Sequence, residues 1–293
     1  EAPAVAEDEI RISNPGRVIF PDAKVTKGQL ADYYRRVGPV MLPWVGHRTV
    51  SLVRCPQGRA KKCFFQKHDS GSFGPHVLHV PVEEKKGEVQ DYLYVDSIAG
   101  LVACVQMGTI EFHGWGSRVD DIERPDRIVF DLDPDEGLDF ANVRKAAHDL
   151  RRHLADIGLT TFPMLTGGKG VHVVVPLTPK AEWPAVKDFA QRFAMALAEA
   201  EPERFTANLS KAKRAGRIFI DYLRNQRGAT AIMPYSARAR AGAPVAAPIN
   251  WDELDEFDGG GRFTVKDADL LLERAASRPL QGWGEADQVL PDV

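Results

Sequence analysis

The sequence predicts an α+β fold with mixed sheets flanked by helices and an acidic site between strand ends. Strand-like and helix-like runs are mixed along the chain without the strict βαβ alternation that an all-parallel sheet requires. Two of the strand-like runs end in carboxylates: RIVFDLD at Asp131 and Asp133, and RIFIDYL at Asp221. The length of 293 residues is enough to bury about three quarters of the unfolded surface, which fits one large domain or two intimately fused lobes over residues 11–278, the second being the expectation.

The elements follow in order. Residues 1–10 are polar and acidic and read as a linker. Thr26 suits the cap of a helix through ADYYRRV, which Gly38-Pro39 should end. Residues 48–54, 76–82, 91–95, 109–115 and 127–133 read as strands, with a helix in SIAGLVACVQM. Asp139 is placed to cap a helix through VRKAAHDLRRHLADI; strand TTFPMLT, a glycine turn and strand VHVVVP come next. Helix WPAVKDFAQRFAMALAEA, strand RIFIDYL and helix VKDADLLLERAAS complete the core. Residues 279–293 again have linker composition, so the chain is expected to be a piece of a longer protein.

Composition excludes several classes. No run approaches the roughly 20 apolar residues of a membrane span, and EAPAVAEDE lacks the regions of a signal peptide. A cytoplasmic protein is expected, with Cys55, Cys63 and Cys104 as reduced structural thiols, being odd in number and without metal-ligand spacing. The net charge of −3 hides segregation: residues 11–70 carry net +9 and residues 204–240 net +8. Two basic blocks around an acidic site point to a phosphate-rich ligand.

In a strand, alternate side chains share a face, so Asp131 and Asp133 point together while Phe130 and Leu132 face the core. Carboxylates that close repel unless a cation sits between them, and Asp221 would complete an oxygen cage suited to Mg²⁺ or Mn²⁺. Aspartates at strand ends also serve as turns and caps, and on the DxD alone that use is the commoner one. An EF-hand does not fit: its sixth position holds Glu136 instead of glycine and its twelfth Asn142 instead of glutamate.

The turn Thr166-Gly167-Gly168-Lys169-Gly170-Val171-His172 lets backbone N–H groups approach a phosphate, though a plain hairpin turn is an equal reading. It is not a P-loop, since Gly170 follows Lys169. His172 opens an apolar run and needs a polar partner; a triphosphate oxygen is one, and for His113 a satisfied core histidine is the rival. Arg224, Arg238 and Arg240 offer planar forks for phosphate, though for each taken singly a surface ion pair is the commoner use. Phe64-Phe65 between lysines is a pattern that stacks bases over a charged groove.

Taken together, DLDPDEG, GGKGVH, IFIDYLRN and YSARARAGAPVAAPINWDEL resemble the polymerase domain of bacterial ligase D, within the archaeo-eukaryotic primase superfamily, from about Asn14 to Arg278. The resemblance implies a primase-polymerase-like fold and a template-capable nucleotidyltransferase that extends or fills 3′ ends at breaks and gaps in bacterial non-homologous end joining. It makes Asp131, Asp133 and Asp221 ligands of two Mn²⁺ or Mg²⁺ ions. Thr166, Lys169, His172 and Arg224 then hold the nucleoside triphosphate with His113 nearby, and Phe64 and Phe65 stack near the bases. Arg54, Lys67 and Arg238 contact the strands, and Arg17 and Lys27 take the 5′-phosphate of an end. Thr166 stands where serine is usual and Arg17 where lysine is usual. A ribonucleotide preference, Ku as partner, ligase and phosphoesterase domains on the same polypeptide, and a nucleoid-associated location are implied by the resemblance alone. A metal-dependent nuclease or phosphoesterase and a non-catalytic DNA-end binder are the rival readings.

Overall fold

The protein is described here by a computed structural model covering residues 10–292, so the expected acidic linker lies outside the described residues except for Ile10. A small hairpin of β1 (Val18–Phe20) and β2 (Val25–Thr26) leads into α1 (Lys27–Val45). Next come β3 (Val50–Arg54), β4 (Phe64–Gln66), β5 (Leu78–Glu83), β6 (Val89–Tyr94), α2 (Ile98–Gln106) and β7 (Thr109–Gly114). The second half holds β8 (Arg127–Pro134), α3 (Phe140–Asp156), β9 (Phe162–Leu165), β10 (Val171–Pro176), α4 (Trp183–Ala200), β11 (Phe205–Thr206), β12 (Ile218–Asp221), β13 (Ala231–Ile232), β14 (Ala247–Pro248) and α5 (Ala268–Ala276). A six-stranded sheet runs β11-β12-β8-β10-β9-β14, a four-stranded sheet runs β13-β7-β3-β4, and β5 and β6 pair by themselves. The sheets are antiparallel apart from β11 with β12, as expected for an α+β fold.

Period-two alternation builds the layers. Ile128, Phe130 and Leu132 on β8, and Val171, Val173 and Val175 on β10, join Val143, Leu150 and Leu154 of α3 and Val186 and Phe189 of α4 in one core. Val129 and Val174 face the other way and pack with Ala231, Ile232 and Trp283. Further along that second face the side chains become Asp131, His172 and Asp133. The apolar part of the face is therefore covered, and the polar part is left as a cleft floor. The four-stranded sheet follows the same rule: Phe112 packs edge-on against Tyr34 of α1 at 5.0 Å, while Glu111 and His113 alternate to the opposite face.

Three expectations need correction. Helix α1 does not end at Gly38-Pro39 but runs to Val45. Leu30, Tyr34, Val37, Met41 and Val45 keep a helical apolar face across the break, while Pro39 and Pro43 lie exposed, where water can satisfy the carbonyls they leave unpaired. Gly38 fits because a Cβ there would come within 2.6 Å of Ile98 on α2. Thr26 does cap this helix, with a reciprocal Gln29 capping box; Asp139 precedes α3 without a side-chain cap bond.

Cys55 and Cys63 are joined in a disulfide, not reduced; Cys104 is free and buried. Arg54 and Phe64 are cross-strand partners in the β3–β4 pair, so the two flanking cysteines form the next pair across, with Cα atoms 4.3 Å apart. Residues 279–293, expected as linker, are packed over much of their described length. Trp283 donates to the Pro163 carbonyl at 2.9 Å and meets Trp44 edge-on at 5.2 Å, and Gln288 donates to the carbonyls of Thr160 and Pro176.

Candidate active site between the two sheets

The central strand of the large sheet positions the acids. Across three neighbouring strands, His172 on β10 pairs with Asp131 on β8, and Asp131 pairs with Asp221 on β12. Directly opposed residues share a face, so this row of three lies on one side of the sheet, with Asp133 two residues further along; His172, Asp131 and Asp133 line the cleft, and Asp221 does not line it. His172 Nε2 lies 3.5 Å from Asp131 Oδ1, and His172 Nδ1 is buried with no hydrogen-bond partner among the described residues.

The local electrostatics follow from this crowding. Burial would raise the Asp131 carboxyl, but His172, Arg224 and Arg238 outweigh it and hold it below the ordinary carboxylate range. Asp133 is pushed up by burial and then by the charge of Asp131, against the pull of Arg214. Asp221 is likewise pushed up by burial; Arg224 opposes this and Asp131 adds to it. Arginines occupy the carboxylate oxygens. Arg224 bridges Asp221 at 3.3 Å and Asp131 at 3.5 Å, and Arg214 donates to Asp133 at 2.6 Å. With these arms in place, no three His, Cys, Asp or Glu side chains among the described residues stand in an arrangement that holds a metal ion. The donor set itself, two cross-strand aspartates and a third two residues along β8, is of the kind that suits a hard divalent cation.

A cleft of about 200 Å³ lies over this floor, lined by His113, Asp131, Asp133, Thr166, Lys169, His172, Arg224, Arg238 and Arg240, with Gly168, Gly170 and Ile232. Its loop is built around two glycines. Gly167 has a φ of +77° and sits against Arg238, and a Cβ at Gly170 would lie 2.3 Å from the Leu132 carbonyl oxygen. The Thr166 hydroxyl donates to the Gly170 carbonyl at 3.0 Å and accepts from Gly168 N–H at 3.1 Å, so it shapes the loop. Lys169 is exposed at the tip.

Other expected site residues lie elsewhere. Phe65 is 72% exposed and meets His113 at 6.2 Å, which puts it at the cleft rim. Phe64 instead stacks on Arg54, whose guanidinium is fixed by Met107 and Gln66. Lys67 lies over Tyr92. Arg17 and Lys27 do not line the cleft; they adjoin each other at the start of α1. Lys27 is buried, and burial followed by the Arg17 charge lowers its ammonium pKa.

Three residues escaped the sequence reading. Glu111 accepts hydrogen bonds from His113 Nε2 and the Ala239 N–H, both at 2.7 Å. Its signal was the alternation of Glu111 and His113 with Ile110 and Phe112. Arg214 lay unremarked within the second basic block. Asn225 is buried and ties both backbone groups of Val129 to the turn after β12, fixing Arg224 one residue before it.

The fold and this site define a class, that of the primase-polymerase nucleotidyltransferases. A solved structure described as the polymerase domain from Mycobacterium tuberculosis ligase D in complex with DNA superposes with a TM-score of 0.86 at 31% identity, covering 93% of this chain and 97% of that one. The family model described as LigD, primase-polymerase domain, matches residues 26–279, and the chain belongs to that family. The multifunctional non-homologous end joining protein LigD of Pseudomonas aeruginosa is 40% identical over 267 residues, 91% of this chain. The bifunctional non-homologous end joining protein LigD of Bacillus subtilis is 31% identical, also over 91% of this chain. The chain spans 32% of the first relative's length and 42% of the second's. Among the described residues no helix is long and apolar enough to cross a membrane.

Proposed function

We propose that the chain extends or fills 3′ ends at DNA breaks and gaps with nucleoside triphosphates, using Asp131, Asp133 and Asp221 to hold two divalent cations, Mn²⁺ or Mg²⁺. The observation that carries this is the direct pairing of Asp221 with Asp131, which together with Asp133 lines the floor of a cleft whose other walls are cationic, Asp221 standing beside that floor. When bound, such ions acidify the primer 3′-hydroxyl and neutralise charge on the leaving pyrophosphate. For binding, Arg214 and Arg224 must swing off the carboxylates, and Arg224 is then free for phosphate. Lys169, His172 and Arg224 orient the triphosphate, with the unpartnered His172 Nδ1 available to it, and Thr166 keeps the loop in shape. Phe65 at the rim is placed to stack a base; Phe64 acts by holding Arg54. His113 and Arg238 close the far wall.

Arg17 and Lys27 take the 5′-phosphate of the downstream end, where an anionic partner offsets the burial and the Arg17 charge that disfavour the Lys27 ammonium. The longer relatives, multifunctional and bifunctional non-homologous end joining proteins by name, support a role within that repair process; ligase and phosphoesterase domains on the same polypeptide, the end-binding protein Ku as partner and a nucleoid-associated cytoplasmic location complete the reading and rest on the resemblance alone. Ribonucleotides are the preferred substrates. The test is primer extension on gapped DNA with Mn²⁺ and either NTPs or dNTPs, with and without a downstream 5′-phosphate. Longer products, more of them with NTPs and with the phosphate, are expected. Shortened products would favour a nuclease, and metal-independent DNA binding without nucleotide affinity a passive end binder.

A further inference from the structure

We propose that Glu111 is a positioning residue that sets the spacing between His113 and Arg238 across the nucleotide cleft, an inference that rests on the reading of the cleft given above. Glu111 sits on β7, in the four-stranded sheet, with its side chain 9% exposed. One carboxylate oxygen accepts from His113 Nε2 at 2.7 Å; the other accepts from the Ala239 N–H at 2.7 Å and lies 3.3 Å from Arg238 Nε. Arg238 in turn donates to the Thr166 carbonyl at 2.6 Å, at the root of the glycine loop. One buried carboxylate thus links a wall built on the small sheet to the loop between β13 and β14 and, through Arg238, to the glycine loop of the large sheet.

A core carboxylate is expensive, and well-packed hydrocarbon usually stabilises such a position as well or better. Here both side chains it grips line the cleft, so the cost has a use at the site. Burial alone would raise the Glu111 carboxyl; the bond from His113, then Arg238 and Ala239, overturn this and hold it at about 2. Both oxygens are engaged by these donors, which makes the carboxylate a support for its neighbours. By donating through Nε2, His113 presents the other edge of its ring to the cleft. The same loop is pinned independently, since the Ala237 N–H donates to the Tyr34 hydroxyl at 2.9 Å and the Phe112 N–H to the Ser236 hydroxyl at 2.9 Å. Loss of the Glu111 charge therefore leaves the fold intact.

The test compares wild type, Glu111→Gln and Glu111→Leu by ATP binding in the presence of Mn²⁺, by KM and kcat in primer extension, and by affinity for 5′-phosphorylated gapped DNA without nucleotide. Both variants are expected to raise KM for ATP roughly tenfold or more, in the range typical of outer supports of a site. The expected change in kcat is less than about threefold, with unchanged DNA affinity. His113→Ala should cost less in the Glu111→Gln background than in wild type, as coupled residues require. ATP binding and KM unchanged in both variants overturn the inference, as does an equal loss of ATP and DNA binding. A wild-type protein that neither binds ATP nor extends primers overturns the cleft reading itself, a result distinguishable from failure of Glu111 alone.

Discussion

Asp221 stands directly across from Asp131 in the antiparallel pairing of β12 with β8, and Arg224, three residues past Asp221, bridges the two carboxylates. A strand register has brought acids remote in sequence onto one face, and the turn after β12 has supplied the cation that holds them there.

Neutralising Asp221 should separate stability from activity. The charged form of Asp221 is disfavoured in the fold by burial and by Asp131, so an uncharged amide of the same shape relieves the crowding. Asp221→Asn is expected to raise the thermal midpoint of metal-free protein while lowering primer extension on the order of 10³-fold. Calorimetry with and without EDTA, beside an extension assay, checks both halves.

Arg214 competes with any cation for Asp133, since its guanidinium donates to that carboxylate at 2.6 Å while packing over Phe219. Arg214→Ala should tighten Mn²⁺ binding in the absence of nucleotide by roughly twofold to fivefold, the worth of one partly exposed ion pair. A Mn²⁺ titration followed by electron paramagnetic resonance measures it.

The disulfide closes a short loop that also carries Pro56, whose carbonyl accepts from Arg17, and Arg59, whose N–H donates to Ile19. Opening it with a dithiol reductant, or by Cys63→Ser, is expected to cost about 2 to 3 kcal/mol of stability. It should also weaken discrimination for a 5′-phosphorylated end. Urea melts under oxidising and reducing conditions test the first effect, and gapped-DNA binding the second.

Acid should destabilise the protein in a defined window. The folded Glu111 value of about 2 lies below the ordinary 4.5, so its contribution is full above about pH 4.5 and is lost as pH falls toward 2. Asp131 has the same sign, whereas Asp133 and Asp221, being raised, favour the fold as pH falls through their folded values. Glu111→Gln should remove on the order of 2 kcal/mol of the difference between pH 7 and pH 3, read from urea melts.

Local patterns disclosed what local physics decides. The alternation around Phe130 and Leu132 gave the shared face of Asp131 and Asp133, and the helical period from Trp183 to Ala200 gave α4 at its observed limits. The mixed α+β architecture was legible for the same reason. What escaped depends on contacts distant along the chain. Pro39 breaks an isolated helix, yet here tertiary burial of the opposite face carries α1 through it. The Cys55–Cys63 bond follows from the β3–β4 register, which a count of cysteines does not contain. Leu280 and Trp283 are two apolar anchors in a segment whose average composition is that of a linker. Glu111 looks like a solvent-facing strand residue until Ala239 and Arg238, more than a hundred positions later, close over it.

The most direct measurement is anomalous diffraction at the manganese edge from crystals grown with Mn²⁺ and a non-hydrolysable nucleoside triphosphate. The account predicts manganese peaks ligated by Asp131, Asp133 and Asp221, with Arg214 and Arg224 displaced from the carboxylates and the triphosphate against Lys169 and His172. Peaks away from these three aspartates, or both arginines still bound to them beside an ordered triphosphate, would contradict it.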